Sequence, residues 1–201
     1  MPDPAIKSRP VYTGLQISLQ ARRNLFALEG EGALALTDQV AAIGPEFLAR
    51  SEVLYVPTGS QPCAHDETLR QLGAHTYWQA PSIPTLLTRL RTSLATATMG
   101  TRLYVAGTEG FIGQVVQLAL DAGMDAASIL TEHRGSRARR VQCVHCKGIT
   151  ENVKVSPCVC AHCGLKLFVR DHYSRRIAAF QGVNIDAEAP GTAPAPQELY
   201  P

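Results

Sequence analysis

Apolar positions fall into short runs separated by glycine and proline, and the runs alternate between two periods. Val53-Leu54-Tyr55-Val56 is rich in strand formers, is bounded by Pro57 and Gly59, and predicts a buried strand. Asp66 to Leu72 has helical spacing and stops at Gly73. His75-Thr76-Tyr77-Trp78 predicts another strand, and Ser82 caps a helix on which Leu86, Leu87, Leu90 and Leu94 share a face. Gly100 ends it. Leu103-Tyr104-Val105-Ala106 is strand-like, Gly107 follows, and residues 110–122 carry Ile112, Val115, Val116, Ala119 and Leu120 at helical intervals up to Gly123. Ile129-Leu130 closes the series as a short strand. Upstream, Leu25-Phe26-Ala27-Leu28 leads into a Gly-Glu-Gly turn and an apolar stretch to Phe47-Leu48 whose type periodicity does not fix. Strands alternating with helices of about ten residues predict right-handed crossovers. The expected fold is α/β, a mainly parallel sheet with flanking helices.

Outside this block the pattern changes. Residues 1–25 hold three prolines and few apolar runs, and predict an extended N-terminal arm, laid on the domain or on a partner, before an α/β domain over 26–135. Arg134 to Arg140 interrupts the alternation as a linker. A cysteine-bearing module with a following polar-aromatic segment spans 141–185, and a Pro/Ala-rich tail, extended or disordered, spans 186–201. No internal repeat is visible.

Composition narrows the class. With 45% hydrophobic and 18% charged residues, the 201-residue chain is that of a globular protein with a sizeable core. A formal charge of +2 gives no electrostatic footprint for nucleic acid. The one basic cluster, Arg134, Arg137, Arg139 and Arg140, reads as a solvated linker or as a surface for an acidic partner. No apolar run approaches the roughly 18–20 residues of a membrane span, and Met1-Pro2-Asp3-Pro4 does not begin a signal peptide. The expected location is cytoplasmic. In that reducing compartment, six cysteines with four in close pairs point to a metal site rather than disulfides.

Cys143-Val-His-Cys146 and Cys160-Ala-His-Cys163 are two Cys-x-x-Cys knuckles separated by thirteen residues. Each knuckle converges two thiolates, and four thiolates at tetrahedral corners suit zinc. Gly148 and Gly164 follow the knuckles and offer the backbone freedom such turns need. Four protein ligands leave no open position, so the expected role is structural, stapling a piece too small to own a core. Iron in a rubredoxin-like site is the rival occupant, because the same knuckles accept it. Cys158 is a weaker candidate ligand, and His145 and His162 read as exposed knuckle surface. Cys63 beside His65 has no identifiable third group for nucleophilic chemistry and reads as a buried or loop thiol.

Leu103-Tyr-Val-Ala-Gly-Thr-Glu-Gly-Phe-Ile-Gly-Gln-Val-Val-Gln-Leu-Ala-Leu-Asp-Ala-Gly-Met, with Ile129-Leu130-Thr131-Glu132 beyond it, resembles the end of a ferredoxin reductase NAD domain. Ala106-Gly107-Thr108 stands where that family carries a Cys-Gly-Pro turn. After the first strand, at Thr58-Gly59-Ser60-Gln61-Pro62, the glycine-rich loop that would cradle a pyrophosphate is reduced. No flavin-binding barrel is expected ahead of the domain. The resemblance implies a reductase-like fold without an active reductase.

With the four-cysteine module and the run Val169-Arg-Asp-His-Tyr-Ser-Arg-Arg-Ile-Ala-Ala-Phe-Gln-Gly-Val, about residues 10–190 resemble the DmmA-like subunit of bacterial dimethylamine monooxygenase. That family's enzyme is a multisubunit complex that oxidatively demethylates dimethylamine to methylamine and formaldehyde with electrons from NADPH. The resemblance implies a small C-terminal zinc ribbon here, with flavin, iron–sulfur and haem carriers on partner subunits. No catalytic or cofactor-binding residue is assigned to this chain. Arg170, Asp171, His172, Tyr173, Ser174, Arg175 and Arg176 read either as an interface segment or as an amphipathic helix packed on the module. The leading expectation is an accessory zinc-binding subunit, not catalytic alone. An NAD(P)H-binding electron-transfer subunit and a nucleic-acid-binding zinc ribbon are the alternatives.

Overall fold

In the computed structural model the described residues are 8–58 and 62–201, with side chains from 65 onward in the second stretch. In chain order they form β1 (Arg23–Glu29), α1 (Leu34–Thr37), α2 (Val40–Leu48), β2 (Ser51–Val56), α3 (Pro62–Gln71), β3 (Thr76–Gln79), α4 (Ile83–Leu94), β4 (Thr101–Gly107), α5 (Glu109–Asp121) and β5 (Ile129–His133). There follow β6 (Arg139–Cys143), β7 (Ile149–Val153), β8 (Val155–Ser156), β9 (Cys158–Val159), β10 (Lys166–Ser174), β11 (Ala179–Asn184) and β12 (Gln197–Glu198). The chain divides into two compact units, one over Tyr12–Gly135 and one holding Ser136–Pro201 with the residues up to Val11.

In the first unit five strands lie in the order β3-β2-β1-β4-β5. Every pairing is parallel. This is the 3-2-1-4-5 order of doubly wound sheets, in which the chain leaves the central strand toward one edge and then returns to build the other. The α/β expectation, a parallel sheet with flanking helices, is met. The central strand is β1, over the run whose partner elements periodicity left open. Phe26 and Leu28 pack on one face with Tyr104, Val53, Phe47 and Leu36. Leu25 and Ala27 pack on the other with Leu54, Leu103, Leu90 and Val115. A strand buried on both faces shows a continuous apolar run in place of alternation. Residues 34–48 had no fixed phase because Gly44, at φ 66° and ψ 170°, breaks α2 just before Pro45.

Part of the stretch read as an arm packs into the α/β unit. β1 begins at Arg23, and Leu15 and Ala21 are buried ahead of it. Ser82 accepts a hydrogen bond from the Thr85 N–H and Thr108 accepts one from the Phe111 N–H, so α4 and α5 are side-chain capped.

The second unit is built on a sheet ordered β7-β6-β11-β10-β9. Only β6 and β11 pair in parallel there. Val141, Cys143, Val153, Leu167, Val169, Tyr173 and Phe180 form its core. Residues 170–180, one reading of which was a helix, are instead the two arms of the β10–β11 hairpin. Alternating burial along Lys166 to Val169 shows the strand period, and the register shift between Val169 and Tyr173 hides it further on. The Pro/Ala-rich tail ends in β12, which pairs antiparallel with β8. Pro157, in cis peptide linkage to Ser156, follows that pairing strand.

Candidate metal centre

The two knuckles have the same backbone. In the first, Cys143 N–H donates to the Gly148 carbonyl (3.0 Å) and Lys147 N–H to the Cys143 carbonyl (2.9 Å). In the second, Cys160 N–H donates to the Leu165 carbonyl (2.9 Å) and Gly164 N–H to the Cys160 carbonyl (3.0 Å). Each turn places its fourth residue after the first cysteine in the left-handed region, Lys147 at φ 63° and Gly164 at φ 74°. The sequence pattern assigned that freedom to Gly148 and Gly164. It holds for Gly164, while in the first knuckle Lys147 takes the left-handed position. Gly148 serves another purpose: a Cβ there would overlap the His162 ring. His162, although exposed, sits within 2.9 Å of the Ile149 carbonyl through Nε2 and so ties the second knuckle to β7.

The loops bring all four Sγ atoms within 4.8 Å of one another. Cys143 and Cys163 lie 3.8 Å apart, and Cys146 and Cys160 lie 3.7 Å apart. A disulfide needs about 2.0 Å. Four sulfurs about 2.3 Å from one tetrahedral zinc stand about 3.8 Å from each other, so the spacing fits a single ion in the middle. The thiols of the second knuckle are shifted in opposite directions. Burial works against the Cys160 thiolate, yet the backbone N–H groups of Cys163 and His162 and the neighbouring thiols bring its pKa down to about 6. At Cys163 the Leu165 N–H favours the thiolate, but burial and proton sharing with Cys160, Cys146 and Cys143 hold the pKa up at about 12. A metal ion takes its cysteine ligands as thiolates.

Cys158 does not join them. It is buried in the core of the unit, and burial pushes its thiol pKa up, as befits an inert apolar cysteine. His145 is exposed. The side chain of Cys63 lies outside the described residues.

Beside the cysteine cluster stands an arrangement that the sequence did not announce. Arg139, read as part of a linker, is only 2% exposed. Its guanidinium lies 3.9 Å from the centre of the Phe180 ring and 4.0 Å from that of Tyr200, clamped between them, and Nη2 donates to Asp171 Oδ1 at 2.6 Å. Two other members of the basic cluster are held in ion pairs: Arg140 by Glu151, and Arg134 by Glu132 and Asp38. Tyr173, in the segment read as an interface or as a packed helix, faces inward and meets Phe180 edge-on at 5.0 Å. Arg175 and Arg176 remain exposed at the hairpin turn.

Among the described residues no helix is long and apolar enough to cross a membrane. Residues 4–129 match the N-terminal domain of the family described as dimethylamine monooxygenase subunit DmmA-like, and residues 140–183 match its C-terminal domain. The chain is 35% identical over 147 residues to the heme-dependent oxidative N-demethylase delta subunit of Ectopseudomonas mendocina (strain ymp), covering 71% of this chain and 84% of that one. By its name that relative is one subunit of an oxidative N-demethylase. Looser likenesses include an intact type IV self-sufficient cytochrome P450 monooxygenase (20% identity, TM-score 0.44), covering 63% of this chain and 17% of that one. The flavohem-like FAD/NAD binding domain of nitric oxide dioxygenase from Vibrio cholerae O1 biovar El Tor (18% identity, TM-score 0.42) overlaps 63% of this chain and 56% of its own. The fold assignment rests on the strand order and not on these two overlaps. With both of its domains matched in order and a delta-subunit relative alike over most of its length, the chain belongs to the DmmA-like family of dimethylamine monooxygenase subunits.

Proposed function

We propose that this chain is an accessory, non-catalytic subunit of a multisubunit dimethylamine monooxygenase, the complex that oxidatively demethylates dimethylamine to methylamine and formaldehyde. Its C-terminal unit is a zinc ribbon in which Cys143, Cys146, Cys160 and Cys163 hold one structural ion. The observation that carries this reading is the closed four-sulfur cluster in a chain whose delta-subunit relative it matches over 84% of that relative's length. Four thiolates fill a tetrahedral shell and leave no place for water or substrate, and zinc has no redox states to contribute. The ion ties the two knuckles, and through them β6, β7, β9 and β10, into one small unit. Flavin, iron–sulfur and haem groups then belong to partner subunits, and the protein is cytoplasmic.

The exposed face of the C-terminal sheet offers the grip. Phe168 and Val159 are 44% and 60% exposed. Lys166, paired with Val159, and Arg170, bonded to Gln181, flank them. An exposed phenylalanine with an arginine at its edge has the residue types enriched at protein interfaces.

Coexpression with the other subunits of the complex tests this reading. The chain copurifies with them, brings zinc, and oxidises no NADPH when purified alone. NADPH turnover by the isolated chain, or failure to associate with any other subunit, would overturn it.

A further inference from the structure

In doubly wound sheets a dinucleotide lies across the carboxyl ends of the strands where the strand order reverses. Its pyrophosphate rests over a glycine-rich loop that follows the first strand and enters a helix N-terminus. Here the reversal falls at β1, between β2 and β4. The corresponding loop is therefore Gly30-Glu31-Gly32 after β1. The sequence pattern placed it at Thr58 to Pro62, which follows the second strand; residues 59–61 of that stretch lie outside the described residues.

The loop after β1 is glycine-rich, but its glycines are used up by the protein. Gly30 has φ 50°, and a Cβ on it would stand 2.6 Å from Thr58 Oγ1. A Cβ on Gly32 would overlap the Ala106 carbonyl oxygen at the end of β4. Both glycines are buried, and these close approaches press the loop onto Thr58 and the end of β4. The loop continues as a 3-10 turn and then α1, four residues long, without the aligned peptide dipoles that attract phosphate.

The neighbouring position at the start of α5 is also filled. Glu29, 6% exposed at the end of β1, accepts hydrogen bonds from the Thr108 N–H (2.9 Å) and the Thr108 hydroxyl (2.6 Å). A carboxylate of the chain thus sits where an anion would be drawn to that helix.

Residues 12–18 complete the closure. The Tyr12 hydroxyl reaches Glu109 Oε1 at 3.4 Å, and its ring lies 5.9 Å from that of His133 at the end of β5. Leu15 is buried, its N–H donates to Glu132 Oε2 (2.8 Å), and its carbonyl accepts from Gln39 Nε2 (3.1 Å). Ser18 N–H donates to the Tyr104 hydroxyl (3.0 Å). The segment runs past the ends of β4 and β5 and is pinned at four points. Glu29, Glu109 and Glu132 leave the strand ends acidic, and the arginine beside them, Arg134, is engaged by Glu132 and Asp38.

We infer that the chain fills its own dinucleotide crevice: residues 12–18 and the Glu29 carboxylate occupy the space that a nicotinamide nucleotide and its pyrophosphate take in this architecture. The domain keeps the doubly wound frame and presents it as a solid body. This inference concerns the first unit alone, and it stands or falls separately from the metal at the other end of the chain.

Two measurements on the full-length chain test it. Isothermal titration with NADPH and with NADH up to about 1 mM, a concentration that half-fills a site of millimolar Kd, gives no saturable heat. Hydrogen exchange followed by NMR shows the Leu15 and Ser18 amides protected at least tenfold over an unstructured peptide, with protection unchanged when NADPH is added. Glu29→Ala, which removes the internal carboxylate, lowers the Tm without creating NADPH binding so long as residues 12–18 remain seated. Saturable binding of either nucleotide by the wild-type chain would overturn the inference. So would Leu15 and Ser18 amides that exchange at the free-peptide rate, or that lose protection on addition of NADPH.

Discussion

The Arg139 clamp gives the sharpest test of how the C-terminal unit holds together. Tyr200→Ala removes one of the two rings that sandwich a guanidinium only 2% exposed. A desolvated cation–π contact is worth about 2 kcal/mol. Truncating a half-buried aromatic side chain adds about 1 kcal/mol of lost apolar burial. The ion pair to Asp171 should be valued lower than a buried pair, because the Asp171 side chain is 46% exposed and solvent screens it. The expected loss for Tyr200→Ala is about 3 kcal/mol. For a unit of this size that corresponds to roughly 12–24 °C in its melting temperature. Tyr200→Phe keeps the ring face and loses only the hydroxyl, so it stays within about 0.5 kcal/mol of wild type. Fluorescence of the single tryptophan, Trp78, reports the other unit, so native-state hydrogen exchange of the β6, β10 and β11 amides is the appropriate assay. If Tyr200→Ala leaves those amides unchanged, or Tyr200→Phe costs as much as Tyr200→Ala, the clamp does not contribute as argued.

Three single features give further expected outcomes. Lys147→Gly relieves a left-handed residue at φ 63° and stabilises the metal-loaded protein by about 1 kcal/mol in urea titration; destabilisation would mean that the Lys147 side chain matters more than its backbone. Cys158→Ala keeps the full complement of bound metal, measured by elemental analysis, and lowers stability by about 1 kcal/mol through lost packing; loss of metal would make Cys158 a ligand. Burial raises the Tyr77, Tyr104 and Tyr200 hydroxyls above their usual pKa, reinforced at Tyr77 by Asp66 and opposed at Tyr104 by the Ser18 N–H and Arg102 and at Tyr200 by Arg139. Their contribution to stability is complete below about pH 10, the unfolded value, and is lost as pH rises toward the folded values, so the phenolate absorbance of these three lags behind that of the other tyrosines.

Much of the α/β unit was legible because β2 and β4 are short apolar runs and α4 and α5 carry an apolar face between a side-chain cap and a glycine stop. The four sulfurs were legible as well, since two residues between cysteines is the span that turns a pair of thiolates toward one point. The glycine loop was sought in the wrong place for a physical reason. β1 is apolar on both faces, and the kink at Gly44 scrambled the phase of residues 34–48, so the central strand did not announce itself as the first. Arg139 was misplaced because arginines are seldom found inside, and its two rings come from positions 180 and 200, far along the chain. Residues 170–176 stayed open between an interface segment and a packed helix because the shift of register after Val169 hides the strand period there.

A metal ion held by two pairs of cysteine sulfurs is the centre of the proposed function. Inductively coupled plasma mass spectrometry on the purified chain, beside a Cys146→Ser, Cys163→Ser double variant, tests it directly. One zinc per wild-type chain and none in the variant is the predicted result. A wild-type chain free of metal, or a variant that keeps its zinc, would contradict it.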